Sequence, residues 1–148
     1  MKKSLYVLVL MLIISNPLSA QSDTEADASA VFEKFLVAMT NTDVETVLSL
    51  FSEDALFWGT GSPSLVTVPA GVRQYFEPVG RNEPGLNIAR ARDYSAKVIS
   101  DELVLISGMW EVVRQGQDSG TPLRVSMAVA LRNGEWKIIQ FHNSAVPD

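Results

Sequence analysis

Two titratable side chains of this 148-residue chain stand in apolar surroundings where they could carry out chemistry. Glu111 lies between Trp110 and Val112 in a stretch that is otherwise apolar. On the concave face of a sheet its carboxylate would lose water, which would raise its pKa and suit it to act as a general base or to bind an amine. Alternatively, Glu111 lies at a rim or faces outward, because the alternation of a strand is easily lost at a bulge. The sequence leaves both interpretations open.

His142 is the only imidazole of the chain and the second candidate acid or base. The alternative is a structural histidine in the last apolar strand, since no nucleophile or glycine-rich phosphate loop stands near it in the sequence. One histidine and no cysteine cannot form the closed tetrahedral site of structural zinc, so we expect no metal. No motif implies a cofactor.

Three helices are predicted in the first part of the chain. Apolar residues from Val31 to Met39 recur at spacings of three and four, as on one face of a helix. Thr42 and Glu45 have the spacing of a capping box and predict a second helix from Val44 to Phe51, so that the first two helices form a hairpin. A short third helix is predicted from Pro69, which suits a first helical turn, to Pro78.

The period then changes to that of strands. Ala55 to Trp58 predicts a short strand, and Leu65 to Val68 suits another. From Leu86 onward β-branched residues alternate, with turn signals at residues 100–102, at residues 118–120 and at Asn133-Gly134, a preferred hairpin dipeptide. Four strands joined by three turns predict an antiparallel meander. We therefore expect an α+β domain whose helices cover one face of a curved antiparallel sheet.

The N-terminus has the order of charges and apolar residues found in secretory signal peptides. Lys2 and Lys3 precede an apolar run from Leu5 to Ile14, and the small residue Ala20 follows. A membrane span needs about 20 apolar residues, and this run is shorter. Residues 1–20 are thus predicted to be a signal peptide, and the protein is expected to be periplasmic or secreted, without membrane attachment after cleavage.

The remaining chain is predicted to form one domain. Residues 21–27 are small and polar and predict a flexible tail, and residues 28–148 predict the domain itself. The net charge of −5 disfavours binding to nucleic acid, because an acidic surface repels phosphates.

One strand predicts self-association. After Pro122 the large residues of the strand alternate with Ser126, Ala128 and Ala130. The large residues can fill the core of the domain. The small, mostly apolar residues on the opposite face suit close packing of the sheet against a second copy of the chain.

Five segments, in this order, resemble the nuclear transport factor 2-like superfamily. They are Ala55–Trp58, Val72–Glu77, Asp118–Pro122, Arg132–Trp136 and Phe141–Ser144. Within that superfamily they are most similar to the association domain of calcium/calmodulin-dependent protein kinase II and to its bacterial SnoaL-like relatives. The resemblance extends over essentially the whole domain and implies a cone-shaped α+β fold.

The resemblance also implies a pocket inside the cone. In the association domain arginines from three strands line it, and the corresponding residues here are Glu111, Met127 and Asn143. None is arginine, so we expect a pocket of altered polarity for a neutral or weakly cationic, partly apolar molecule. Trp58 and Tyr75 would supply apolar wall. Related domains also pair through the outer face of the sheet.

The sequence thus predicts an exported domain that binds a small molecule and associates with itself, as a homodimer or a larger ring, without kinase activity of its own. Two alternatives stay open. One is an enzyme of the isomerase, cyclase or dehydratase type that uses Glu111 or His142 in the pocket. The other is a purely structural oligomerisation module.

Overall fold

The computed structural model describes residues 17–147, and the predicted signal peptide therefore lies largely outside the described residues. Four helical segments precede or interrupt the strands: α1 (Pro17–Thr40), α2 (Val44–Ser49), α3 (Pro69–Phe76) and a 3₁₀ turn (Glu77–Arg81). The strands are β1 (Phe51–Trp58), β2 (Asn87–Ser100), β3 (Leu103–Arg114), β4 (Thr121–Arg132) and β5 (Glu135–Ala145). The predicted α+β architecture is confirmed.

Helix α1 is longer than its apolar stripe predicts. Residues 21–27, which the sequence predicts to be a loose tail, form part of this helix. They contain neither proline nor glycine, so nothing interrupts a helix that is already held by its packed half. Ala28 is the first buried residue of α1 among those with described side chains.

The start of α2 corrects the predicted capping box. Thr42 has a φ of 56°, in the left-handed region, and the capping residue is Asp43. The carboxylate of Asp43 accepts hydrogen bonds from the backbone N–H of Thr46 at 3.0 Å and from its hydroxyl at 2.6 Å. Asp43 thus satisfies one of the free N–H groups that begin the helix.

The five strands form one sheet in the order β1-β5-β4-β3-β2. The three predicted hairpins are antiparallel, and at the last turn Asn133 and Gly134 have φ values of 53° and 83°. The prediction of a wholly antiparallel sheet is wrong, because β1 pairs with β5 in parallel. This pairing is possible because the long connection through α3 and the hairpins returns the chain to the same end of the sheet. Of Leu65–Val68, only Val66 pairs, in an isolated bridge with Phe57.

The two faces of the sheet differ in what covers them. The inner face packs against α1 and α3: the ring of Phe35, for example, lies 5.8 Å from that of Trp110 and 5.4 Å from that of Phe141. The outer face points away from the helices. Along β4, Val125 and Met127 are buried on the inner face, as their alternation predicts, and the residues between them point outward.

Candidate functional site

A cavity of about 310 Å³ lies between the helices and the inner face of the sheet. Its walls are mainly apolar side chains, among them Met39 of α1, Tyr75 of α3 and Val79 of the 3₁₀ turn. The sheet contributes Val112 and Leu123 from neighbouring strands. Such a concave space with mostly apolar walls is the form that small-molecule sites usually take.

The position of Tyr75 depends on a glycine. Its ring packs edge-on against that of Phe57, with centroids 4.7 Å apart. A Cβ on Gly59 would overlap with Cζ of Tyr75. The backbone at the end of β1 can therefore approach the tyrosine ring only because residue 59 has no side chain.

The polar part of the cavity is a chain of three side chains. The indole N–H of Trp110 donates to Oδ1 of Asn143 at 2.8 Å, and the Asn143 amide donates to Oγ1 of Thr60 at 2.6 Å. Both hydrogen bonds join neutral groups, and they hold the Asn143 amide in one orientation. Among the described residues, no buried side-chain N or O atom is left without a partner. The cavity thus offers fixed, uncharged hydrogen-bonding groups at one wall.

No carboxylate, imidazole or ammonium group occurs among the described residues that line this cavity. The expected pocket included the carboxylate of Glu111, and the direction of this side chain explains why the cavity lacks it. Its neighbours Trp110 and Val112 point into the cavity, and Glu111 therefore points to the outer face.

On the outer face Glu111 is nonetheless only 5% exposed, because arginine and a loop cover it. Nε of Arg90 donates to Oε1 of Glu111 at 2.7 Å, and the backbone N–H of Gly120 lies 3.4 Å from Oε2. Arg92 contributes a longer ion pair of 4.0 Å. The hydrogen bond from Arg90 is the main cause of a pKa below the ordinary value for Glu111, although burial acts in the opposite direction.

The ion pair between Arg90 and Glu111 has a structural role. Arg90 also donates to the carbonyl of Asp118 at 2.8 Å, so the guanidinium joins Glu111 on β3 to the loop between β3 and β4. The sequence suggests that Glu111 has a raised pKa and lies inside the pocket. The structure corrects both expectations. The carboxylate is charged and engaged.

The other predicted site residues divide between the two faces. Tyr75 and Asn143 line the cavity. Met127 faces the same side but is fully buried in the core, where it pairs with Phe141 rather than lining the space. Trp58 lies on the outer face, 44% exposed, and pairs with the exposed His142 across β1 and β5.

Of the eleven residues that line the cavity, only Tyr75 and Asn143 belong to the predicted pocket, and Thr60, Val112 and Leu123 are among the nine that the sequence did not indicate. Val112 could have been found from the alternation around Glu111, once the outward direction of that carboxylate was known. Thr60 lies in the loop after β1, and no sequence signal marks it.

The predicted interface residues point outward on β4, with one exception to their expected exposure. Ser126 is exposed and Ala128 is half-buried. Ala130 is only 2% exposed because other parts of the same chain cover it, so it offers no surface to a partner.

Helices covering one face of a curved mixed sheet, with an apolar cavity between the two layers, define the nuclear transport factor 2-like class of α+β domains. The model of the SnoaL-like domain family matches residues 28–148, and the chain belongs to that family.

Solved structures with this fold come from several bacteria. A candidate calcium/calmodulin-dependent protein kinase II association domain from Xanthomonas campestris is 20% identical over 81% of this chain and 86% of its own, with a TM-score of 0.70. A nuclear transport factor 2-like protein of unknown function from Pseudomonas putida KT2440 has a TM-score of 0.76 at 13% identity, over 86% and 89% of the two chains. A candidate aromatic ring hydroxylase from Novosphingobium aromaticivorans has a TM-score of 0.68 at 16% identity, over 86% and 92%.

At these identities the structures establish the fold alone. No curated protein sequence is significantly similar to the chain. None of the helices within residues 17–147 combines the length and apolar character needed to cross a membrane. In the same part of the chain, no three histidine, aspartate or glutamate side chains converge as a metal site.

Proposed function

We propose that this domain binds a small, uncharged and mainly apolar molecule in the cavity beneath its helices. The observation that carries the proposal is the cavity itself: about 310 Å³, apolar walls, and the fixed amide of Asn143 at one side. An ionised ligand group would find no opposite charge among the described lining residues, and burying it unpaired would be costly. A neutral ligand that meets Asn143 or Thr60 with one hydrogen-bonding group avoids this cost.

The same observation favours binding over catalysis at this site. General acid–base chemistry needs a titratable group within hydrogen-bonding reach of the substrate. Glu111 is paired with Arg90 on the outer face, and His142 also lies there. Tyr75 is therefore the only titratable side chain among the described residues that line the cavity, and it has no second acid or base beside it there. The volume is near the lower end of the range of small-molecule sites, about 300–1,000 Å³, and suits a ligand of one or two rings.

The test compares two valine-to-tryptophan variants on helical segments. Val79→Trp places an indole in the cavity, whereas Val37→Trp adds it to an exposed position of α1. We would screen small neutral alcohols, ketones and phenols, with 2-naphthol and indole as first probes, by thermal shift and calorimetry. A probe should stabilise the wild type and Val37→Trp but not Val79→Trp. Equal binding to both variants, or no binding of any probe to the wild type, would refute the proposal.

A second proposal concerns self-association through the outer face. Leu56 on β1 and Leu105 on β3 are exposed there, and the small Ala128 of β4 lies in the same row between them. A second copy related by a two-fold axis could place its leucine side chains over Ala128 of the first copy, and the reverse. This match of large and small residues on one face supports pairing with another copy of the chain.

Light scattering at micromolar concentration should then give a mass of at least twice that of one chain. Ala128→Arg should remain folded but give a smaller species, since it forces a charge into the contact. Val37→Arg, at an exposed position of α1, is the matched control and should leave the mass unchanged. A wild type that stays monomeric at high concentration would rule out this interface.

Export is proposed on the sequence alone. Ala20, the predicted last residue of the signal peptide, lies within the first turn of α1, so cleavage would leave the packed part of the helix intact. Mass spectrometry of the protein from the envelope fraction of its host should show a chain that begins at or near Gln21. A full-length protein confined to the cytosol would contradict the proposal.

A further inference from the structure

The hydrogen bonds at the polar wall of the cavity all run in one direction. The indole N–H of Trp110 can only donate, so the atom of Asn143 that faces it must be the amide oxygen. The amide nitrogen then faces Thr60, whose hydroxyl oxygen accepts from it at 2.6 Å. The chain of hydrogen bonds therefore leads from Trp110 through Asn143 to Thr60, and the hydroxyl of Thr60 ends it.

This direction makes the hydroxyl of Thr60 a donor toward a ligand. Its oxygen already accepts from Asn143, and among the described residues nothing accepts its own hydrogen. A hydroxyl that accepts one hydrogen bond is polarised by it, which strengthens the hydrogen bond that it donates in turn. The end of the chain is therefore best completed by an acceptor.

A closed turn holds Thr60 at the mouth of the cavity. The backbone N–H of Ser62 donates to the carbonyl of Gly59 at 3.0 Å, and the N–H of Gly59 donates to the hydroxyl of Ser62 at 3.1 Å. Thr60 lies within this turn and is the only exposed residue among the described residues that line the cavity. A ligand group bound to Thr60 would thus lie at the entrance, with the rest of the molecule further in.

Tyr75 brings a second hydroxyl to the same turn. A Cβ on Gly59 would overlap with the hydroxyl oxygen of Tyr75 as well as with its ring, so the phenol lies against the residue that precedes Thr60. Within residues 17–147 this hydroxyl forms no hydrogen bond, whereas every fully buried side-chain N or O atom there has a partner. The hydroxyl of Tyr75 is therefore accessible at the wall of the cavity, where it can donate to a ligand.

We infer that the ligand of the cavity carries a carbonyl oxygen, which accepts hydrogen bonds from the hydroxyls of Tyr75 and Thr60. This inference rests on the proposed function and names the class of its ligand, a neutral ketone, aldehyde or lactone with a body of one or two rings. A carbonyl oxygen has two lone pairs and takes one hydrogen from each hydroxyl. A ligand group that only donates would leave both hydrogens unpaired. The apolar body would extend inward, against Met39 and Leu123.

Three bicyclic probes of similar size separate the carbonyl from the rings that carry it. 1-Indanone has an acceptor, indole has a donor, and indane has neither. In calorimetric titrations, two hydrogen bonds should make 1-indanone bind at least about tenfold more tightly than indane, and indole should gain less. The infrared stretching band of the bound carbonyl should also lie at lower frequency than in an apolar solvent, because donated hydrogen bonds weaken the C=O bond.

Tyr75→Phe removes one of the two hydroxyls and keeps the ring. It should lower the preference for 1-indanone over indane by about threefold or more and raise the carbonyl stretching frequency. Tyr94→Phe is the matched control and should retain both wild-type values, because the hydroxyl of Tyr94 donates to Glu33 at 2.9 Å and Tyr94 does not line the cavity.

Two sets of results would overturn the inference, and they differ in what they mean for the proposed function. If indane or indole binds as tightly as 1-indanone, or if Tyr75→Phe keeps the wild-type preference, the carbonyl is not recognised. The proposed function would stand in that case, provided that Val79→Trp still prevents binding. If none of the three probes binds, or if binding survives Val79→Trp, the proposed function is refuted and the inference with it.

Discussion

Replacing Asn143 by leucine should destabilise the domain mainly through its effect on Trp110. Asn143 is 7% exposed and Trp110 is 3% exposed, and the bond between them is 2.8 Å long. Leucine cannot accept this bond, so the indole N–H would be left buried without a partner, at a cost of about 1–3 kcal/mol. Thr60 is exposed and can turn to water. We therefore expect a net loss of about 2 kcal/mol, after a partial offset from the apolar leucine.

The cost should depend on whether the indole is present. In a Trp110→Phe background no N–H is left to satisfy, so Asn143→Leu should cost about 1–2 kcal/mol less than it does in the wild type. This difference is the coupling energy between the two side chains. Removing both partners of a buried hydrogen bond is nearly neutral for the polar groups, whereas removing one is not.

Urea unfolding of the four proteins, followed by far-UV circular dichroism, measures the cycle without relying on tryptophan fluorescence. The slopes of the unfolding free energy with urea should agree, which shows that the same surface is exposed in each case. A coupling energy within about 0.3–0.5 kcal/mol of zero would mean that the two side chains act independently. The hydrogen-bonded wall of the cavity would then be absent in solution, and the proposed ligand anchor with it.

Two further predictions concern the outer face and the last hairpin. The pKa of Glu111 lies below its ordinary value of 4.5, so its charge adds stability that is present above that value and lost as the pH falls through the lower, folded-state pKa. Glu111→Gln should thus be less stable than the wild type at neutral pH, and their melting temperatures should converge as the pH falls below 4.5; a variant as stable at neutral pH would contradict the Arg90 pair. Gly134→Ala should cost about 1 kcal/mol because its φ of 83° disfavours a Cβ, whereas Gly61→Ala, in open space without this φ, should cost less; equal melting temperatures would refute this reasoning.

The elements of the fold could be predicted from local signals, because each depends on a few neighbouring residues. The stripe from Val31 to Met39 predicts the packed half of α1, and Asn133-Gly134 fixes the last hairpin. The parallel partner of β1 has no such signal. It depends on where the chain returns after about eighty residues, and β5 lies far from β1 in the sequence.

The partner of Glu111 was harder to predict because it depends on the register of β2. A tight turn at residues 101–102 pairs Ser100 with Leu103, and without irregularity the same register would place Arg92 opposite Glu111. Two bulges, between Val98 and Ser100 and between Ala91 and Asp93, shift the pairing, so that Arg90 is the partner instead. A bulge has little sequence signature, and each one shifts by one position the pairing of every residue between it and the far end of the strand.

Side chains alternate between the two faces of the sheet along β3 and β5. This alternation decides which face receives the charged groups. Trp110 and Val112 point inward, so the carboxylate between them must point outward, where an arginine can pair with it. On β5, Asn143 points inward, and His142 before it must point outward. The cavity is consequently left with the amide of Asn143, the indole of Trp110 and the hydroxyls of Thr60 and Tyr75 as its polar groups. The alternation of the strands therefore keeps Glu111 and His142 on the outer face and leaves uncharged side chains along the cavity.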